Sequence, residues 1–211
     1  MKISVIGLGY VGLPLTFSAL SAGYEVTGVD IDKSRLSDIS SGKLSAYNKD
    51  YRQFNHYLDS KKLSLASNFL QISDSQIIII CLPTPLDNKD LPDTTQIRKF
   101  LDQIKEKISE NALLVLESTV APEFCRIELG NFRTFLNKNR KIDIDIAFSP
   151  ERIDPLNSKW DVKNTPKLVA GLTDRARDRA VEFYSKFIDT VIPCSSLEVA
   201  ETAKLLENSF R

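Results

Sequence analysis

Short apolar runs alternate with amphipathic stretches along the 211-residue chain. The runs are rich in β-branched residues, and the stretch 76–82 contains four consecutive isoleucines. Such a run is typical of a strand that is buried on both faces of a parallel sheet. The predicted strands span residues 3–6, 25–29, 63–66, 76–82, 112–116, 142–148, 167–170 and 190–193.

The stretches between these runs have helical patterns. In 94–108, the apolar residues recur at the spacing of one helix face. The predicted helices span residues 13–22, 32–41, 50–60, 94–108, 122–137, 174–187 and 195–211. Strands that alternate with helices predict an α/β fold with a doubly wound, mainly parallel sheet of the Rossmann type. We expect 1–195 to form this domain and 196–211 to begin a long linker helix.

The last segment, SSLEVAETAKLLENSFR, has two distinct faces. Ser195 and Glu198 have the spacing of a capping box at its start. The apolar stripe comprises Val199, Ala203, Leu206 and Phe210. A different face carries Glu201, Lys204 and Asn208, and a solvated Glu–Lys pair would also explain this pattern. The pattern continues to the last residue without a capping glycine or proline, so we expect a truncated helix.

The chain opens with KISVIGLGYVGLPL, in which a strand runs into closely spaced glycines and then into a helix. The turn requires glycine at each of three positions for a steric reason. Gly7 allows a tight turn, Gly9 leaves the backbone open to a pyrophosphate, and Gly12 lets the helix pack closely on the strand. The free N–H groups at the start of the helix favour phosphate binding.

Asp30 follows the second predicted strand, roughly 20 residues after the glycines, which is the distance expected for an acid that binds a ribose 2′-hydroxyl. Gly23 occupies the position of a helix-terminating glycine between them. Together these features predict a dinucleotide site. A carboxylate repels the 2′-phosphate of NADP, so NAD is the predicted cofactor. Arg35 is close enough in sequence to contact either the ribose or the phosphate.

Polar residues also follow three other predicted strands: Thr84, Ser118, Thr119, Ser149 and Glu151. The carboxyl ends of parallel strands line the ligand crevice of an open sheet. Serine, threonine and proline also simply end strands, so each position alone has both explanations. Their repeated occurrence favours a ligand crevice.

Composition excludes several classes of protein. The 28 basic and 28 acidic residues balance, so nothing indicates binding to nucleic acid or to an anionic membrane surface. The sequence has no run of about 18 apolar residues and no signal-peptide pattern, so we expect a cytoplasmic protein. Cys81, Cys125 and Cys194 have no metal-binding spacing, and His56 lies in a polar stretch. We therefore predict no metal site, structural thiols and no chemistry for His56.

Several motifs occur in the order found in the UDP-glucose/GDP-mannose dehydrogenase family: GLGYVGLPL, GVDID, CLPTPLD with a following PD, LESTV, SPERIDP and AETAKLLENSFR. The chain resembles that family over nearly its whole length. SPERIDPLN and AKLLENSFR are most similar to the branch that acts on UDP-N-acetylhexosamines, particularly the UDP-N-acetyl-D-glucosamine 6-dehydrogenases.

The resemblance implies an NAD-dependent oxidation of the sugar C6 alcohol to a carboxylate, for surface polysaccharide biosynthesis. Two hydride transfers, a cysteine adduct and hydrolysis of a thioester are implied. The residues implied to contact NAD are Gly7, Gly9, Tyr10, Val11, Gly12, Asp30, Arg35, Thr84 and Thr119. Thr119 and Glu151 would position water, whereas Lys204 and Asn208 would bind the substrate and stabilise an oxyanion.

The sequence departs from the family pattern in two places. Ile153 and Leu156 replace an acid and a glycine that are usual in this branch, which puts contacts near Asp154 and Pro155 in doubt. The family's nucleophilic cysteine lies in a GGxCxP segment, which this sequence lacks. We therefore expect the chain to be the cofactor-binding part of the enzyme, inactive alone and without most of the substrate site.

Four hypotheses remain open at this stage. The substrate is UDP-N-acetylglucosamine, UDP-N-acetylmannosamine or UDP-glucose, or else the chain is an NAD-sensing module without catalysis. A sensor has no need of water-positioning and oxyanion groups such as Glu151, Lys204 and Asn208. The expected partners of the full-length enzyme are the UDP-sugar and a second copy, in a homodimer formed through the central helix.

Overall fold

The computed structural model describes residues 1–43, 53–88, 92–152 and 161–210. The strands in these ranges are β1 (Lys2–Ile6), β2 (Glu25–Val29), β3 (Leu63–Ala66), β4 (Ile77–Ile80), β5 (Leu113–Leu116), β6 (Asp145–Phe148), β7 (Lys167–Gly171) and β8 (Val191–Pro193). They form one sheet in the order β3-β2-β1-β4-β5-β6-β7-β8. β1 to β6 pair in parallel, β7 is antiparallel to β6, and β8 is parallel to β7. The predicted α/β fold with a mainly parallel sheet is confirmed.

The described helices connect these strands in the predicted alternation. They are α1 (Gly12–Ser21), α2 (Lys33–Ser40), α3 (Gln53–Asp59), α4 (Thr95–Ile104), α5 (Gly130–Arg140), α6 (Asp174–Tyr184) and α7 (Leu197–Ser209). A short 3₁₀ helix, Leu70–Asp74, precedes β4. Residues 50–52 of the predicted helix 50–60 lie outside the described residues.

The four isoleucines of β4 explain why the sheet is wound on both faces. Ile78 and Ile80 enter the core layer that contains α4 and α5, whereas Ile77 and Ile79 enter the layer that contains α1 and α6. All four side chains are buried. Because successive side chains of a strand point to opposite faces, one continuous apolar run supplies both layers.

The helix after β5 does not begin at Pro122 as the sequence predicts. The chain first forms a wide π-helical turn, Cys125–Leu129, which leads into α5. Glu123 has φ +70°, which is incompatible with a regular helix at this point. The buried Glu201 carboxylate accepts hydrogen bonds from the backbone N–H groups of Glu123 and Cys125, at 2.7 and 2.9 Å. A residue distant in sequence therefore fixes the start of this helix.

α7 packs differently from the pattern read in the sequence. Its N-cap is Ser196, whose side chain accepts from the Val199 N–H at 3.3 Å, so the predicted cap at Ser195 is wrong by one residue. The helix buries Leu197, Ala200 and Glu201. In the apolar stripe, Val199, Leu206 and Phe210 are exposed. Because Glu201 is buried, the explanation of this face as a solvated Glu–Lys pair is wrong. The boundary between a domain 1–195 and a linker helix 196–211 stays a prediction.

The turn between β1 and α1 is closely packed. Gly7 has φ +90° and donates its N–H to the carbonyl of Val29, at 2.8 Å. A Cβ on Gly7 would lie 2.7 Å from the carbonyl oxygen of Cys81, and a Cβ on Gly12 would lie 1.9 Å from that of Gly7. The predicted reasons for these two glycines, a tight turn and close helix packing, are confirmed.

We predict that Gly12→Ala lowers the free energy of unfolding by about 1–3 kcal/mol, because the new methyl group forces the turn and α1 apart. Gly130→Ala is a matched control, since Gly130 is helical and a Cβ there meets no atom within 4 Å. That substitution should raise the free energy of unfolding by about 0.5–1 kcal/mol. Urea unfolding followed by circular dichroism measures both; equal shifts in the two variants would contradict the packing argument.

Candidate cofactor and substrate site

The predicted site residues converge on the edge of the sheet where β1, β2, β4, β5 and β6 end. The glycine turn touches the end of β4 through Gly7 and Cys81. Asp30 directly follows β2, Thr119 follows β5, and Glu151 follows β6. Parallel strands place all of these carboxyl ends at one edge, which is where ligands bind in open α/β sheets.

Asp30 holds the glycine turn against the end of β2. Its carboxylate accepts hydrogen bonds from the backbone N–H groups of Leu8, at 2.8 Å, and Asp32, at 2.9 Å. The Arg35 guanidinium lies 3.9 Å from the Asp30 carboxylate. Each carboxylate oxygen has a second lone pair, so Asp30 retains capacity to accept from a ribose hydroxyl.

The guanidinium of Arg35 also lies over the glycine turn. One of its nitrogens is 3.2 Å from the position that a Cβ on Gly9 would occupy. Arg35 therefore presents a positive charge to whatever approaches the bare backbone of Gly9. This arrangement suits a diphosphate, because a guanidinium binds phosphate through charge-assisted hydrogen bonds.

The start of α1 supplies a further positive end. Its N-cap is Val11, which makes no side-chain capping bond, and its first turn contains no acidic residue. Tyr10 is 62% exposed beside this helix start. The dipole of α1 attracts an anion at this end of the helix. The glycine turn, the open helix start and Asp30 together fit a dinucleotide, although the role of each residue stays a prediction.

Two threonines tie the ends of β4 and β5 together. The Thr84 hydroxyl donates to the carbonyl oxygen of Thr119 at 2.7 Å. Beside them, the Ser118 hydroxyl donates to the carbonyl oxygen of Leu82 at 2.6 Å. The structure therefore brings Thr84 and Thr119 into contact and joins the loops that follow β4 and β5.

A buried ionic cluster lies behind Glu151. The Lys167 ammonium is 2.8 Å from the Glu117 carboxylate and 3.2 Å from that of Glu151. The Tyr184 hydroxyl donates to Glu117 at 2.5 Å. Burial lowers the pKa of Lys167, but Glu117 and Glu151 outweigh this effect and the pKa is raised overall. Lys167 is therefore a cation at neutral pH.

The direction of β7 explains how Lys167 reaches this edge. β7 is antiparallel to β6, so its first residue lies beside the end of β6 rather than at the opposite edge. Sequence reasoning missed Glu117 and Lys167. The available signals were a carboxylate directly after the apolar run LLVL and a lysine directly before the run LVA.

Arg152 fastens α7 to the loop that carries Glu151. Its guanidinium forms two hydrogen bonds with the Glu207 carboxylate, both 2.9 Å, and a third with the carbonyl of Pro166 at 3.2 Å. Glu207 lies on α7 between Lys204 and Asn208, which are half-buried and exposed respectively. The helix that carries Lys204 and Asn208 is therefore attached directly beside Glu151. The doubtful contacts near Ile153, Asp154, Pro155 and Leu156 lie outside the described residues.

The three thiols have none of the features of a nucleophile. Burial raises the pKa of Cys81, Cys125 and Cys194, whereas a reactive cysteine has a lowered pKa. Within the described ranges, no three His, Cys, Asp or Glu side chains are grouped so that they could hold a metal ion. None of the described helices is long and apolar enough to span a bilayer.

The comparison with family models decides the family. Residues 1–188 match the model of the UDP-glucose/GDP-mannose dehydrogenase family, NAD binding domain. The chain belongs to this family. The dinucleotide geometry at the glycine turn is thus that of an NAD-binding domain, and the predicted cofactor, NAD, is confirmed.

Relatives match the whole chain but only about half of their own length. UDP-N-acetyl-D-mannosamine dehydrogenase from Pyrococcus horikoshii is 29% identical over 212 residues, which are 100% of this chain and 50% of that protein. UDP-N-acetyl-D-glucosamine 6-dehydrogenase from Pseudomonas aeruginosa is 31% identical over 218 residues, with coverage of 100% and 50%. The structure of the UDP-N-acetyl-mannosamine dehydrogenase Cap5O from Staphylococcus aureus superposes with a TM-score of 0.89 at 26% identity, covering 100% of this chain and 51% of that one.

We predict that the chain binds NAD at least about tenfold more tightly than NADP, a difference of about 1.4 kcal/mol, because Asp30 repels a 2′-phosphate. Asp30→Asn keeps an oxygen for the Leu8 N–H but removes the charge, so it should reduce the difference in affinity between NAD and NADP. Asp38→Asn, an exposed acid on α2, is the control and should keep the preference. Titration calorimetry with both cofactors measures this; equal NADP binding by the unmodified chain would overturn it.

Proposed function

We propose that this chain is the cofactor-binding part of an NAD-dependent dehydrogenase that oxidises the C6 alcohol of a UDP-N-acetylhexosamine to the uronic acid. The chain spans about half the length of the relatives it matches, so the activity needs the other half of the full-length enzyme. Location in the cytoplasm and a role in surface polysaccharide synthesis belong to the same proposal.

The observation that carries this proposal is the attachment of α7 beside Glu151. The pair Arg152–Glu207 holds the helix of Lys204 and Asn208 against the loop that follows β6. This attachment supports the proposed roles of Lys204 and Asn208, because the helix that carries them is bonded to the residue next to Glu151. A module that only senses NAD does not require this arrangement, so it supports an enzyme over a sensor.

The residues of this chain have distinct tasks in the proposed reaction. The glycine turn, Asp30 and Arg35 would hold NAD, which when bound accepts the hydride that leaves C6. The hydrogen bond between Thr84 and Thr119 would keep the loops after β4 and β5 fixed beside the bound cofactor. Glu151 is a carboxylate that can accept a hydrogen bond from water, and the Lys204 ammonium can stabilise negative charge that develops on the C6 oxygen.

The choice of sugar rests on weaker support. Relatives at 29% and 31% identity carry the names of the mannosamine and the glucosamine enzymes respectively. The motifs SPERIDPLN and AKLLENSFR favour UDP-N-acetylglucosamine, with UDP-N-acetylmannosamine and UDP-glucose as alternatives. The exposed Val199 and Leu206 on α7, with the exposed Phe210 that caps its end, are suited to the proposed homodimer through this helix.

The proposed function is tested by NADH formation with a panel of UDP-sugars. The full translation product of the gene should oxidise UDP-N-acetylglucosamine and form two NADH for each uronic acid. The 211-residue chain alone should form none, because burial raises the pKa of each of its three thiols, whereas a nucleophilic cysteine has a lowered pKa. Sustained turnover by the chain alone would refute the proposal that it is only the cofactor-binding part. A full product that is inactive on every UDP-sugar would refute the proposed function.

In the full product, we predict that Lys204→Ala lowers kcat about a hundredfold while NAD affinity stays unchanged, because the oxyanion loses its cation. Thr202→Ala changes an exposed residue of the same helix and serves as the control. Steady-state kinetics and NAD titration together separate the two effects. If kcat is unchanged in the Lys204→Ala protein, that lysine has no part in the reaction.

A further inference from the structure

The ionic cluster behind Glu151 is a continuous chain of hydrogen bonds that starts in the core and ends at the crevice. Tyr184 donates to one oxygen of Glu117, and Lys167 donates to the other. The same ammonium donates to Glu151 at 3.2 Å. The side chains of Glu117, Lys167 and Glu151 are 0, 5 and 13% exposed respectively. Of these three charged members, Glu151 is the one nearest to solvent.

Two carboxylates share one ammonium in this cluster, so it carries one negative charge in excess when both carboxylates are ionised. Burial raises the pKa of Glu117 and Glu151 raises it further, whereas Lys167 lowers it, and the pKa is raised overall. Tyr184 stays a neutral donor, because burial raises its pKa well above the usual value. Without the ammonium, the two carboxylates would lose the cation that lies between them.

Two further groups face Glu151 besides this ammonium. Its second oxygen accepts from the backbone N–H of Arg152 at 2.6 Å, which is a neutral donor. The Arg152 guanidinium is bonded to Glu207, and the charge of Glu151 also contributes to its raised pKa. Cys81, which faces the cluster from the end of β4, stays a neutral thiol because burial raises its pKa, as does the charge of Glu117. Lys167 is the cation whose hydrogen bond to the Glu151 carboxylate also joins it to Glu117.

We propose that Lys167 is a positioning residue, which with Glu117 behind it keeps the Glu151 carboxylate ionised and in one orientation toward the crevice. Glu117 and Tyr184 fix the ammonium, and the ammonium fixes Glu151. The inference rests on the proposed function, in which Glu151 accepts a hydrogen bond from water. It extends that function to three buried residues behind Glu151, namely Glu117, Lys167 and Tyr184.

The ionisation of Glu151 can be measured in the 211-residue chain without any turnover. Side-chain carboxyl signals of a ¹³C-labelled sample are followed by NMR against pH, and Glu151→Gln assigns the signal. In Lys167→Met the titration midpoint of Glu151 should rise by about one pH unit or more, because an opposite charge within about 4 Å is lost. Lys163→Met, which removes an exposed lysine just before β7, should leave the midpoint unchanged.

A second variant keeps the test decisive if Lys167→Met fails to fold. The double variant Lys167→Met/Glu117→Gln has no carboxylate at position 117. The folded state therefore does not bear the free-energy cost of a buried carboxylate without its cation. The Glu151 midpoint should still lie above that of the unmodified chain, although by less. A midpoint within about 0.3 units of the unmodified value in this double variant would overturn the proposal and leave Lys167 a purely structural role.

The same double variant in the full product links this ionisation to catalysis. We expect kcat to fall at least tenfold, the acidic limb of the kcat–pH profile to move upward with the NMR midpoint, and the NAD dissociation constant to stay the same. If the midpoint moves but the pH profile does not, Lys167 has no positioning role in turnover. If the full product oxidises no UDP-sugar, the proposed function fails, while the NMR result still judges the ionisation of Glu151.

Discussion

The contact between Gly12 and the carbonyl of Gly7 constrains the whole dinucleotide end of the molecule. A Cβ at position 12 would lie 1.9 Å from that carbonyl oxygen, so α1 can begin this close to β1 only without a side chain. The same turn bonds to the end of β2 through the Gly7 N–H and Val29, and again through the Leu8 N–H and Asp30. One close approach thus fixes α1, β1 and β2 relative to each other.

The reversal of β7 is the second constraint on the site. Six parallel strands bring only their carboxyl ends to the crevice, and each βα connection then leaves by a helix. Because β7 runs the other way, the crevice also receives the first residue of a strand, Lys167. β8 runs parallel to β7, and the chain then returns along α7, where Glu207 accepts a hydrogen bond from Arg152. The antiparallel pair therefore adds charged groups that a purely parallel sheet would place at its far edge.

The sequence predicts local features of this fold well and long-range polar contacts poorly. The strands are evident because residues buried on both faces form unbroken runs, such as the isoleucines of β4, and the glycine turn is evident because its steric demands are local. The helical start at Cys125 is not evident from the sequence, since it depends on Glu201, which is 76 residues away. The partners Glu117 and Lys167 are likewise 50 residues apart. Such pairings are set by the tertiary fold and leave no periodic pattern.

Stability alone does not explain why Glu117, Lys167 and Glu151 are buried together. Removing an ammonium and a carboxylate from water costs several kcal/mol each, and well-packed apolar residues of similar size often stabilise a core equally well or better. A second carboxylate on the same ammonium makes the cluster less favourable than a simple ion pair when both carboxylates are ionised. Its cost is understandable if Glu151, the most exposed of the three, needs to be an ionised carboxylate, because under the proposed function this carboxylate accepts a hydrogen bond from water.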